Sequence, residues 1–258
     1  MKSALRPFTL SWLIALLLTT LSLAGLLFPS VIYPSAELRR AFLANDVVNL
    51  LIGLPVLVAS MFSARRGGWM GQLFWPGALL YVIYNAIAYA VGLFPAWIFA
   101  LHAALLILGL AAFIGVFSSL DLPACQHRLA GRVPERLSAG VLVGLGTLFF
   151  LRSIGQAAGG ASPSTPEFAV AVADLLVTPV WVVGGILLWQ RRAAGYALGA
   201  GLLFQASLLF VGLLVFFLLQ PVLLGEPFPA VDFMVIFGMG LLCFIPFGWF
   251  ARGIQRSS

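Results

Sequence analysis

Eight stretches of about 20 predominantly apolar residues recur along this chain, each long enough to cross ~30 Å of hydrocarbon as a helix. They lie near 8–28, 41–62, 72–93, 96–117, 138–158, 168–189, 195–219 and 230–250, with Pro29, Pro95, Pro221 and Pro229 punctuating their ends. Only 9% of the residues are charged and 62% are hydrophobic. Soluble domains carry about 25% charge, so a water-soluble globule is excluded. The expected fold is therefore all-α: a polytopic integral membrane bundle of eight transmembrane helices. No long polar stretch remains for a soluble catalytic domain, so residues 1–258 form one transmembrane domain whose first partner is the lipid bilayer. Trp, Tyr and Phe residues suit interfacial belts and lipid-facing surfaces.

Charge in the connecting segments sets an orientation. Lys2, Arg6, Arg65, Arg66, Arg128, Arg132, Arg136, Arg191, Arg192, Arg252 and Arg256 occupy the two ends of the chain and every second loop. They are eleven of the fourteen basic residues, against Arg39 and Arg40 on the other side. By the positive-inside rule both termini are cytoplasmic. The net charge of +6 thus follows the membrane and does not call for nucleic acid as a partner. A basic start and Ser22-x-Ala24 also give the first helix some likeness to a signal peptide. The repeat described next argues that this helix is retained. Cys125 and Cys243 are distant in sequence and imply no disulfide framework.

Helices 1–4 and 5–8 read as two copies of one unit, in halves 1–120 and 130–258. Asp46 opens the second helix, Pro55 follows, and Arg65-Arg66 end it. Asp174 opens the sixth, Pro179 follows, and Arg191-Arg192 end it. Phe94-Pro95-Ala96 begins the fourth helix and Phe228-Pro229-Ala230 the eighth, while Leu10-Ser11 and Leu137-Ser138 match in the first and fifth. Units with an even number of helices share one orientation, so a 4+4 parallel repeat about an axis along the membrane normal is expected.

Asp46, Asp174 and Arg152 lie inside apolar runs. Charge in hydrocarbon costs about 3 kcal/mol or more, which makes such residues markers of a function or of a buried partner. At ~1.5 Å per residue, Asp46 falls roughly 8 Å and Asn49 roughly 12 Å below the outer boundary. Tyr84, Asn85 and Tyr89 share a face of the third helix, with Tyr81 a turn deeper. His102 sits near the start of the fourth helix. Arg152 and Gln156 share a face of the fifth, and Asp174 and Thr178 one of the sixth; Asp232 is interfacial. Gln205 is the exception in the cytoplasmic half. The candidate ligand-binding residues are accordingly Asp46, Asn49, Tyr84, Asn85, His102, Arg152 and Asp174, in a polar site open to the outside. Arg152 stays protonated and is expected to find Asp46, Asp174 or Asp232 within salt-bridge reach. Structural readings compete at each position: an ion pair for Arg152, belt or packing roles for Tyr81 and Tyr89, a hydrogen-bonded interior His102, and helix-gluing Asn49 and Asn85.

Absent residue types narrow the chemistry. Lys2 is the one lysine, so no retinal Schiff base can form inside the bundle. His102 and His127 cannot supply bis-histidine haem ligation or a three-histidine zinc site within the membrane. No Cys-x-x-Cys or phosphate-loop motif is present, and no serine stands in a nucleophile context that would pair with His102. No cofactor or metal is expected.

The segments DVVNLLIGLPVLVASMFSARRG, LLYVIYNAIAYAVG and DLLVTPVWVVGGILLWQRRAAGYALGAGLL resemble a family of uncharacterised bacterial polytopic membrane proteins. In that family an outer Asp opens a helix ending in a basic cytoplasmic turn, twice over. The resemblance touches about half of the chain, implies a bacterial inner-membrane location, and brings no activity. The leading expectation is transport or binding of a small cation or polar solute. An intramembrane enzyme acting on a lipid or lipid-linked substrate is the alternative, and a structural or sensor subunit is the third reading.

Overall fold

The computed structural model describes residues 5–92, 96–159 and 165–256, which leaves Lys2, Phe94 and Pro95 outside the described residues. Among the described residues the regular structure is helical throughout: α1 (Leu5–Leu27), α2 (Pro29–Ile32), α3 (Ala36–Val48), a π-helical turn (Asn49–Gly53), α4 (Leu54–Arg65), α5 (Trp69–Gly92), α6 (Ala96–Ser118), α7 (Leu122–Leu129), α8 (Glu135–Ala158), α9 (Pro166–Trp189), α10 (Ala193–Leu224) and α11 (Ala230–Gln255). Eight of these units are long and apolar enough to cross a membrane, with α3, the π turn and α4 forming one continuous span, Ala36–Arg65.

That second span starts earlier than its hydropathy suggests. Ser35 caps α3 by accepting from Leu38 N–H at 3.1 Å, and Glu37 sits in the first turn, where a carboxylate favours the helix dipole. Asp46 therefore lies ten residues into the helix, about 15 Å from its start, and Asn49 lies deeper still. Both are nearer mid-span than a start at residue 41 implies. Pro55 accounts for the π turn: it has no N–H to continue the ladder and crowds the carbonyl one turn back. The ladder relaxes there, and Leu54 N–H reaches Asn49 O, five residues behind.

The α5 helix is the axis of the bundle. Of its most apolar window 89% is buried, against 17% for α11 at the periphery. It packs on α4, α6, α9 and α10, while α10 packs in turn on α3, α9 and α11. Outside this core, α1 lies against α6, α3 and α4, and α8 lies against α9 and, more lightly, α11. The α5–α10 crossing depends on Gly77 and Gly201, because a Cβ on Gly77 would overlap the Gly201 carbonyl. Small residues that let helix backbones approach are the usual basis of packing where lipid removes the hydrophobic drive.

The end of the bundle that carries Arg65, Arg66, Arg191 and Arg192 is fastened by polar contacts. Glu135, buried at the start of α8, binds Arg191 Nε at 2.7 Å and accepts from Tyr196 OH at 2.6 Å and Gly131 N–H at 2.9 Å. Gln126 of α7 donates to the Arg191 carbonyl at 2.8 Å. Arg191 adopts φ 55°, a left-handed conformation costly for a side-chain-bearing residue, and these contacts hold it there.

Candidate functional site

At the opposite end, α3, α5, α8, α9, α10 and α11 surround a cavity of about 510 Å³. Its rim carries Glu37 and Arg40 from the first turns of α3, Glu167 from the first turn of α9 and Gln220 near the end of α10. Below the rim lies a polar band of Asn45, Tyr84, Asn85, Arg152 and Asp174. Helical rise puts Arg152 about 9 Å from the end of α8 and Asp174 about 12 Å from the start of α9. The floor is aromatic and aliphatic, with Tyr81, Phe149, Trp181, Leu209 and Phe210.

Asp174 is buried, 7% exposed, yet its carboxylate faces the cavity. Tyr84 OH donates to Oδ1 at 2.9 Å, and among the described residues no group donates to Oδ2. Oδ2 is not a sealed, orphaned atom: it is open to the cavity, where it can meet a ligand's positive or N–H-bearing group. Arg152 lies on the same wall, close enough for its charge to act on Asp174 and Tyr84.

The ion pair expected for Arg152 is not formed. Among the described residues the two ion pairs are Arg191–Glu135 and Arg40–Glu226, the latter at 2.9 Å between exposed partners. The acids that Arg152 was expected to engage are disposed otherwise: tyrosine hydroxyls take up Asp46 and one oxygen of Asp174, and Asp232 stands exposed on α11. Arg152 is itself exposed on the cavity side of α8, so its charge meets solvent space and needs no partner.

Asp46 is walled off from the cavity. It is 1% exposed, its Oδ2 accepts from Tyr33 OH at 2.5 Å and its Oδ1 from Tyr89 OH at 3.0 Å, and the Ser22 hydroxyl lies beside it. Space for the carboxylate exists because residue 25 is glycine: a Cβ there would collide with Asp46 and with the Tyr33 hydroxyl. Burial first, and the Asp46 carboxylate second, hold the Tyr33 phenol well above its ordinary pKa, so it stays a donor. Asn45 links this nest to the cavity, since it donates to Asn85 Oδ1 at 2.9 Å and to Tyr89 OH at 3.2 Å.

Of the seven residues singled out from sequence, Tyr84, Asn85, Arg152 and Asp174 meet on the cavity wall. Asp46, Asn49 and His102 lie behind it. Asn49 accepts from Tyr81 OH at 3.2 Å. His102 is buried, shares a 3.0 Å hydrogen bond with Ile98 O and stacks on Tyr89 at 5.0 Å. Thr178 turns back to the Asp174 carbonyl at 2.8 Å. Sequence reading misses Asn45, one position from the conspicuous Asp46, and the rim acids Glu37 and Glu167, which lie just outside the apolar runs that begin near 41 and 168. For Asn45 the helical spacing to Glu37 and Ala41, four residues apart on one face, was the available signal.

Gln205, the polar outlier of the other half, closes the site from below. Trp181 Nε1 donates to its Oε1 at 3.0 Å, and its Nε2 donates to Leu80 O at 3.2 Å. The bond ties α9, α10 and α5 together beneath the floor, near the Gly77–Gly201 contact. Comparison with protein-family models, curated proteins and solved structures finds no match.

Proposed function

We propose that this chain is a multi-pass protein of a bacterial inner membrane that takes a small cationic or polar solute from the outer face into this cavity and transports it. The observation that carries the reading is the Asp174 carboxylate: deep in the bundle, on a cavity wall, with one oxygen bonded to Tyr84 and the other, among the described residues, open to the cavity. Retaining a charge at that depth without a paired cation is costly, and ligand binding is the common reason for it. Orientation follows from the basic residues at the far end, which put both termini in the cytoplasm and the cavity mouth outside.

A parallel 4+4 repeat supplies the moving parts. The neighbour pattern supports it: α5 meets α6, α4 and α9 much as α10 meets α11, α9 and α3, and α5 and α10 meet each other. Exchanging the halves carries each of these contacts onto another, as an axis between α5 and α10 requires. Asp46 and Asp174 then hold equivalent positions. Rocking of the halves about the Gly77–Gly201 crossing would open the Trp181–Gln205–Leu80 seal and give the cavity a second exit.

Cysteine accessibility tests this. Both native cysteines are buried, and burial beside Asp121 pushes the Cys125 thiol up to about 11, which keeps the background low. In intact cells Asn85→Cys is expected to react with an impermeant thiol reagent. In inside-out vesicles it is expected to react more slowly but measurably, and complete protection there overturns transport. The sealed floor favours, as second reading, a one-sided intramembrane enzyme acting on a lipid-linked substrate, for which that protection is the expected result.

A further inference from the structure

The cavity's charge and shape point to a narrower ligand class than a cation in general. Three carboxylates, Glu37, Glu167 and Asp174, line it against two guanidiniums, and Arg40 is already held by Glu226. Its field therefore favours positive charge, focused on the one buried acid. An inorganic cation stripped of water needs a cage of six or more oxygens. Here a single carboxylate stands over an aromatic floor, and no group of three or more His, Cys, Asp or Glu side chains that could hold a metal ion occurs among the described residues. Aromatic faces such as those of Trp181 and Phe149 suit an organic ammonium and the apolar body attached to it. A volume of about 510 Å³ is that of a small-molecule site and far exceeds one bare ion.

Resting on the solute-binding reading above, we infer that the cavity takes an amphipathic organic ammonium: the cationic nitrogen lies against Asp174 Oδ2 and the apolar portion lies on Tyr81, Phe149, Trp181 and Phe210. A free metabolite and an ammonium-bearing lipid headgroup share this chemistry. No covalent step is implied.

Calorimetric titration of the full-length protein in anionic phosphatidylglycerol nanodiscs tests it. The probes are tetramethylammonium, butyltrimethylammonium, benzyltrimethylammonium, sodium, calcium and benzoate. Affinity is expected to rise about fourfold per buried methylene from tetramethyl- to butyltrimethylammonium, and to be highest for the benzyl probe. Asp174→Asn lowers benzyltrimethylammonium affinity about tenfold or more. Arg152→Gln, which removes a like charge, raises it severalfold. If sodium, calcium or tetramethylammonium binds as tightly as the benzyl probe and depends on Asp174, the cavity remains a cation site and the amphipathic class is overturned. If benzoate alone binds, or no probe depends on Asp174, the solute-binding reading falls with it. Adding phosphatidylcholine to the nanodisc separates the sources: competition assigns the site to a lipid headgroup, and unchanged affinity assigns it to a free solute.

Discussion

Asp46 and Asp174 are the same residue type on two spans that the proposed repeat makes equivalent, and they live in opposite surroundings. Asp46 accepts from Tyr33 and Tyr89 with Ser22 alongside, and Gly25 leaves the room it occupies. Among the described residues Asp174 accepts from Tyr84 alone, and its other oxygen is open to the cavity. The first carboxylate spends its hydrogen-bonding capacity on holding α1, the α2–α3 corner and α5 together. The second keeps half of its capacity for something outside the fold. A buried acid is thus informative about function only once its donors are counted, since a satisfied one is architecture.

The largest expected effect comes from emptying the satisfied nest. Asp46→Ala takes the acceptor from the buried Tyr33 and Ser22 hydroxyls, while Tyr89 OH keeps Phe42 O at 3.2 Å, and should lower stability by ~3 kcal/mol, whereas Asp174→Ala should cost ~1 kcal/mol. Thermal unfolding of both variants in one detergent checks this, and equal losses would erase the distinction. Next is Gly25→Ala, whose methyl collides with the Asp46 carboxylate: a loss of ~2 kcal/mol is expected, with benzyltrimethylammonium affinity unchanged in whatever protein folds. A tenfold change in that affinity would place Asp46 in the site. Smallest, and sharpest, is the difference of ~1 kcal/mol within the tyrosine pair. Tyr33→Phe is expected to destabilise by ~2 kcal/mol and Tyr84→Phe by ~1 kcal/mol, because the first hydroxyl is sealed with its acid and the second borders open space. Melts showing the reverse order would mean that the cavity acid, not the nest, fastens the helices.

The eight spans were legible because a run of 20 apolar residues has few other fates. Less legible was where the second span begins. Glu37, Arg39 and Arg40 look like a loop in a hydropathy window, but they form the polar first turns of a helix capped by Ser35. Four of the seven candidate residues reach the cavity, and the other three lie behind its wall for one reason. Asp46, Asn49 and His102 are satisfied by Tyr33, Tyr81, Tyr89 and Ile98, mostly through contacts across 13 to 43 residues of sequence, which no spacing rule encodes. A carboxylate partner for Arg152 follows only from an apolar surrounding. The cavity removes that premise. Gln205 stood out as a misplaced polar residue, and its use became visible only beside Trp181 and Leu80, the latter 125 residues away.

On the orientation proposed above, Asp174 meets water from the outer face while Asp46 does not. Carboxyl footprinting tests it most directly: intact cells are treated with a water-soluble carbodiimide and an impermeant amine, and the modified peptides are quantified by mass spectrometry. Modification is expected at Asp174 along with the rim acids Glu37 and Glu167, relieved by benzyltrimethylammonium at Asp174, with none at Asp46. Modification of Asp46 at a rate equal to that of Asp174, or an Asp174 that stays unmodified while Glu37 and Glu167 react, would contradict it.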